Sequence, residues 1–303
     1  MKPTLKYHSS LPEFSRIVYG AWRMNDAPPS SNAPAQALKK IHACIEQGIT
    51  TFDHADIYGN YSCETLFGQA MAMDKRLKKI TQHVTKCDIM LKGDVFPKRR
   101  VKHYDTSAAH ITQSAETSLK RLGLDVIDIL LLHRPDPLMN HHETGAALDA
   151  LVKSGKVRAV GVSNFRPWDW SLLQGAMKNP LVTNQIELNL FATDAFSNGD
   201  IALLQQLERV PMAWSPLAGG ALFGDSAAAR RLQPALTRVA AEFGVQADAV
   251  AVAWLLAHPA NIAPIYGTNN MTRIKTISDA YKVKLDRETW FELMELAAGK
   301  EVA

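Results

Sequence analysis

Four polar side chains sit in short, strand-like settings along the chain, and together they could deliver a proton. Asp53 and Tyr58 lie in the segment 51–59, Thr-Phe-Asp-His-Ala-Asp-Ile-Tyr-Gly; Lys86 closes 80–86, and His133 closes 127–133. Asp53, Lys86 and His133 stand at or just beyond the last residues of β-type runs, and Tyr58 follows on the loop. A parallel βα barrel gathers its strand ends on one face, where residues distant in sequence meet around one reacting atom. A phenol, an ammonium, a carboxylate and an imidazole gathered there form a proton-donating site suited to reduction of a carbonyl. Taken singly each has a plainer reading: a surface tyrosine, a satisfied core histidine, an ordinary Asp–Lys ion pair. Asp56, the competing carboxylate of the motif, reads as a local loop or cap residue.

The elements that must position these groups alternate along the chain. Strands are expected at 16–21, 50–53, 80–86, 126–133, 159–163, 182–187, 212–215 and 262–266, the most apolar being 126–133. Helices are expected at 35–47, ended by Gly48; 107–122, ended by Gly123; 144–153; 234–243, ended by Gly244; and 247–258, stopped by Pro259. Eight strands with helical crossovers predict an α/β fold, a (β/α)8 TIM barrel, as one domain over 1–303. A doubly wound sheet would want a Gly-rich turn after its first strand, and Gly20-Ala21-Trp22 is not one. Residues 5–15 are expected to form a short N-terminal hairpin closing the barrel bottom. Residues 287–298 read as a C-terminal amphipathic helix carrying Trp290, Leu293 and Leu296.

Bulk properties narrow the classes further. The chain has 303 residues, 47% hydrophobic and 21% charged, with a net charge of +4, too small to argue for nucleic acid or an anionic membrane. The basic clusters at 75–79 and 98–100 read as solvated charge. Three cysteines (Cys44, Cys63, Cys87) form no CxxC pair, and Cys87 reads as an inert small hydrophobe. Neither an apolar leader nor a bilayer-length apolar run stands out, so the expected location is cytoplasmic. His54, His83, His103 and His110 lack metal-ligand spacing and His141-His142 falls in a polar loop, so no metal is expected.

At its strand ends the chain resembles the aldo-keto reductase superfamily, from Gly20 through roughly Ala280. The blocks that carry the likeness are 48–59, Thr85-Lys86, 130–137 (Leu-Leu-Leu-His-Arg-Pro-Asp-Pro), 155–165, Asn184-Gln185, 214–220 and 265–274. The wording of 53–59 and 133–137 is similar to a bacterial oxidoreductase subgroup. The resemblance implies reduction of an aldehyde or ketone to an alcohol by hydride transfer from a nicotinamide dinucleotide. Tyr58 would be the general acid, its pKa lowered by Lys86. Asp53 would keep Lys86 charged, and His133 would hydrogen-bond the carbonyl oxygen.

The same resemblance places the cofactor. Trp214 occupies the position that stacks on the nicotinamide, and Ser163, Asn164 and Gln185 match the groups that bond its carboxamide. The segment 215–220, with Ser215, Leu217 and Gly219, would carry the pyrophosphate. Thr268 and Arg273 match positions that grip a 2′-phosphate, which implies NADPH over NADH. The pattern departs in two places: Gly267 stands where a Lys is common, and an Asn after the Arg is replaced around Ile277. Trp22 matches an aromatic wall of the substrate pocket, and Phe191 and Phe196 would add apolar surface for a small-molecule carbonyl bearing a hydrophobic substituent. Loops 92–104 and 192–198 would set selectivity. The rival reading is a cofactor-binding regulatory subunit with little turnover, like the channel-associated members of the superfamily; a barrel metallohydrolase is a more remote one.

Overall fold

The most apolar run of the chain, Ile127–Leu132, is buried at every position, as a strand covered on both faces must be. In the computed structural model, which describes residues 2–26 and 32–302, it is one of eight parallel strands closed into a barrel. In chain order these are β1 (Val18–Gly20), β2 (Thr51–Asp53), β3 (Gln82–Cys87), β4 (Ile127–Leu132), β5 (Val157–Ser163), β6 (Leu181–Glu187), β7 (Val210–Trp214) and β8 (Ala263–Tyr266). Each pairs with the next, and β8 closes the ring on β1 through Ile265↔Val18 and Tyr266↔Tyr19.

The barrel interior is packed rather than hollow. Val84, Ile129, Leu131, Val182 and Met212 meet Tyr7, Leu11 and Phe14, which come from the N-terminal hairpin that pairs Thr4–Leu5 with Phe14–Ser15. The Ser15 hydroxyl oxygen accepts from the backbone N–H groups of Thr50 and Thr51, fastening this plug to β2. The site therefore opens only at the carboxyl ends of the strands.

Helices wrap the outside, with several boundaries moved from expectation. Helix α1 spans Ala33–Glu46, α2 Cys63–Met73, α3 Ala108–Leu122 and α4 His141–Lys153. Asn140 caps α4 by accepting from the N–H of Glu143, so His141-His142 form its first turn rather than a loop. α5 spans Pro167–Gln174, α6 Asp200–Gln206, α7 Ala227–Phe243, α8 Ala247–Leu256 and α9 Arg287–Ala298. α7 starts seven residues before the expected 234. Pro234 sits on its exposed face, where the missing N–H and the orphaned carbonyl meet water. β3 starts at Gln82 instead of residue 80 because Leu77–Ile80 form a helical turn. Among the described residues no single helix is long and apolar enough to cross a membrane.

α9 docks through an exchange between two indoles. Trp254 and Trp290 stack at 4.7 Å, and each N–H donates to the other's backbone carbonyl at 3.0 and 2.9 Å. Phe196 packs against both rings at 5.8 Å, which places it on the barrel's outer wall and not at a substrate pocket. Phe191 likewise joins the outer core. Loop 92–104 is a folded flap: Ile89–Met90 pairs with His103–Tyr104, and the Arg99 guanidinium lies 3.6 Å from the Phe96 ring and donates to the Tyr61 hydroxyl. Arg99 is therefore a packing residue of the flap, not solvated charge.

Candidate active site

Asp53 ends β2, Lys86 lies one residue before the end of β3, and His133 directly follows β4 with its N–H donating to the carbonyl of Cys87. Tyr58 opens a short turn, Tyr58–Tyr61, in which Gly59, Asn60 and Tyr61 all have positive φ. A Cβ on Gly59 would stand 2.6 Å from the Cys63 sulfur, so only glycine fits the turn that follows Tyr58.

Lys86 binds the group together. Its ammonium is wholly enclosed and donates to both Asp53 carboxylate oxygens at 2.8 Å, to the carbonyl of His54 at 2.7 Å and to the Tyr58 phenolic oxygen at 2.9 Å. Gln185, from β6 across the barrel, donates to the same carboxylate at 2.7 Å. Burial pulls the Lys86 ammonium below its ordinary pKa, and the Asp53 charge pulls it back up.

Tyr58 differs from expectation. Burial pushes the phenol well above its ordinary pKa, the Asp53 charge pushes it further, and Arg134 opposes both. The Lys86 hydrogen bond to the phenolic oxygen favours the phenolate but does not overcome burial. The phenol is held protonated, which is the state a proton donor needs. Because Lys86 donates to the phenolic oxygen, the hydroxyl's own hydrogen remains free for another acceptor. His133 packs edge-on to Tyr58, ring centres 6.1 Å apart. Burial, then the charges of Lys86, Arg134 and Lys102, hold its pKa well below the ordinary value, so the ring is neutral. Among the described residues its Nδ1 is buried without a partner. Burying a lone pair there costs less than burying an N–H, which assigns the ring hydrogen to Nε2.

A cleft of about 880 Å³ opens above these groups. Of the residues assigned to the site from sequence, Lys86 lies beneath its floor and Phe191 and Phe196 stand on the outer wall; the others line it. Asn164, at φ 61, donates to the Ser163 hydroxyl at 2.8 Å and accepts from the Trp214 indole at 3.0 Å, pinning that ring. The Ser163 hydroxyl in turn donates to the Gln185 backbone carbonyl. Ser163 and Asn164 each keep a second acceptor lone pair, and Gln185 keeps its side-chain carbonyl.

Beyond Trp214 the backbone turns left-handed at Ser215, Ala218, Gly219 and Gly220, and among the described residues a Cβ on Gly220 would meet nothing within 4 Å. Such an open run of small residues is a cradle for phosphate oxygens. Leu217 lines the same stretch. At the far end Thr268 is held by the Tyr19 hydroxyl on its carbonyl, and Arg273 lines both the cleft and an adjoining hollow of about 360 Å³ with Phe223, Gln246 and Thr272. These features fit a bound dinucleotide with a phosphate at the Thr268–Arg273 end. Trp22 stands 57% exposed at the rim.

The substrate end is more polar than expected. Asn60, Lys92, Asp94, Lys102 and Arg134 line it beside Trp22 and Leu91. Arg134 is visible in the motif as the neighbour of His133, and loop 92–104 is expected at the site, but which of its residues reach the cleft is decided by the antiparallel pairing of two-residue strands. Asp56 lies in the turn after β2, as expected of a local loop residue, but it is buried: it accepts from the Ser114 hydroxyl at 2.9 Å, and burial raises its pKa to about 7. His54 and His83 form a buried pair against Phe67, 3.3 Å apart, with burial lowering His83 to about 3. Burial pushes the Cys87 thiol well above its ordinary pKa, which keeps it inert.

Comparison with known proteins places this geometry in context. The model of the Aldo/keto reductase family matches residues 16–298. The chain is 58% identical over 291 residues to a 6-dehydroglucose reductase of Agrobacterium fabrum, covering 96% of this chain and 97% of that one. It is 40% identical to the oxidoreductase YdhF of Escherichia coli, covering 96% of each. A crystal structure of an aldo/keto reductase from Klebsiella pneumoniae in complex with NADP and acetate has the same fold, with a TM-score of 0.78, 24% identity, and coverage of 98% and 95%.

Proposed function

The chain belongs to the aldo/keto reductase family and is an NAD(P)H-dependent oxidoreductase acting on carbonyl groups; from that premise we propose that it uses NADPH to reduce the aldehyde of a hydroxylated, sugar-like substrate. The compound named for the Agrobacterium relative, 6-dehydroglucose, is the proposed substrate. Its reduction would return the primary alcohol of glucose. The polar lining around Trp22 supports a substrate rich in hydroxyl groups over one with a hydrophobic substituent.

The single observation that carries this reading is the Lys86 ammonium bonded at once to Asp53 and to the phenolic oxygen of Tyr58. NADPH, when bound, supplies the hydride that adds to the carbonyl carbon. Tyr58 gives its free hydroxyl proton to the carbonyl oxygen as negative charge develops there. Lys86, already donating to the phenolic oxygen, stabilises the phenolate that this transfer leaves. Asp53 keeps the ammonium charged, and Gln185 holds Asp53. Neutral His133 donates from Nε2 to the carbonyl oxygen and fixes its direction. Solvent entering the open cleft returns the proton to Tyr58.

Trp214 would present a fixed ring face to the nicotinamide, Ser163, Asn164 and Gln185 would meet its carboxamide, and Ser215, Leu217 and Gly219 would cradle the pyrophosphate. Thr268 and Arg273 would take the 2′-phosphate. The test is spectrophotometric loss of NADPH with 6-dehydroglucose, wild type against Tyr58→Phe, with KM measured for both cofactors. Turnover that survives Tyr58→Phe would refute the acid assignment, and equal KM values for NADPH and NADH would refute the cofactor preference.

A further inference from the structure

Arg134 is a half-buried cation in the cleft for which the chemistry above has no use. Its base is fixed: the backbone N–H donates to the buried Asp88 carboxylate at 3.2 Å, and the following Pro135 restricts Arg134 to extended backbone. Its guanidinium carbon lies 6.0 Å from the centre of the Trp214 ring. Among the described residues the guanidinium makes no hydrogen bond and no ion pair, although it carries five N–H donors. Glu187 feels its charge without a bond to it, and a partly desolvated fork of donors with no acceptor among the described residues is built for a ligand oxygen. The position says which ligand. Arg134 adjoins His133, which receives the carbonyl oxygen, and it reaches toward Trp214, which backs the nicotinamide. Its charge acts on both Tyr58 and His133. A group in its reach is a substituent close to the reacting carbon.

We propose that Arg134 is the specificity-determining residue of the substrate site, donating hydrogen bonds to a hydroxyl on the carbon beside the aldehyde, so that hydroxylated aldehydes are selected over apolar ones. This inference rests on the carbonyl-reductase reading above. A site built to bond a hydroxyl discriminates against analogues that lack it, because its donors are then left desolvated and unpaired.

The test compares kcat/KM for glyceraldehyde and propionaldehyde, which differ in their hydroxyls, in wild type, Arg134→Met and Arg134→Lys. In Arg134→Met the glyceraldehyde-to-propionaldehyde ratio is expected to fall roughly ten- to hundredfold, with a smaller fall in Arg134→Lys. The Kd for NADPH, followed by tryptophan fluorescence, should stay unchanged in both. An unchanged ratio, or a weakened NADPH Kd with equal losses on both aldehydes, would overturn the proposal. A second readout needs no turnover: calorimetric binding of glucose to the NADP+-saturated protein should weaken by the same factor in Arg134→Met. Equal glucose binding, or none in wild type, also overturns it. A wild type that binds glucose but oxidises no NADPH with any aldehyde would instead sink the functional reading.

Discussion

Lys86 reaches the phenolic oxygen of Tyr58 at 2.9 Å as a donor, so the tyrosine's proton and the lysine's charge act on opposite sides of one oxygen atom. The two residues form a unit. Tyr58→Phe and Lys86→Met should each lower kcat by roughly 10²- to 10⁴-fold. The double variant should be little worse than either single one, as for other residues that act together. Steady-state kinetics decides this, and fully multiplicative losses would separate the pair.

Asp53→Asn should cost stability as well as rate. It leaves an ammonium with no solvent exposure facing a neutral amide, and breaking such a buried pair costs about 3–5 kcal/mol. Urea unfolding reads the shift in midpoint, and Lys86→Met in the same background should recover part of it. A loss below about 1 kcal/mol would mean that the charge finds another partner.

Arg273→Met should raise the KM for NADPH by roughly ten- to hundredfold, the worth of a charge-assisted contact to phosphate, and leave that for NADH unchanged. Parallel rises for both cofactors would place Arg273 elsewhere on the dinucleotide.

Asp56 gives the fold a pH dependence with a definite sign. Burial raises its pKa from 3.8 to about 7, so the folded state binds the proton more tightly than the unfolded chain does. The stability this contributes is complete below 3.8 and is lost as the pH rises through about 7. Asp56→Asn removes the ionisation. Its unfolding free energy relative to wild type should therefore grow across that window by a few kcal/mol, roughly 1.4 per pKa unit. Chemical denaturation at a series of pH values measures it, and a gap independent of pH would show that Asp56 is not the titrating group.

The strands were legible because burial on both faces demands continuous apolar runs, and Ile127–Leu132 could hardly be anything else. α7 starts earlier than its sequence predicts because Pro234 signals a boundary locally, while tertiary burial of Leu232 and Leu236 holds the helix on both sides of it. α2 shows no sharp stripe in the sequence because Leu66, Phe67, Ala70 and Met71 are all buried.

By itself the sequence determined which chemical groups the protein has and that strand ends would bring Asp53, Lys86 and His133 to one rim, since residue type and strand period are local properties. Only the tertiary structure decided their electrostatics and their neighbours. Desolvation is set by everything packed around a group, so the raised pKa values of Tyr58 and Asp56 could not be read from their own segments. The same holds for Phe196 turning to Trp254 and for Arg134 standing over the Trp214 ring: which surfaces a residue meets depends on closure of the barrel, a contact between segments far apart in the chain.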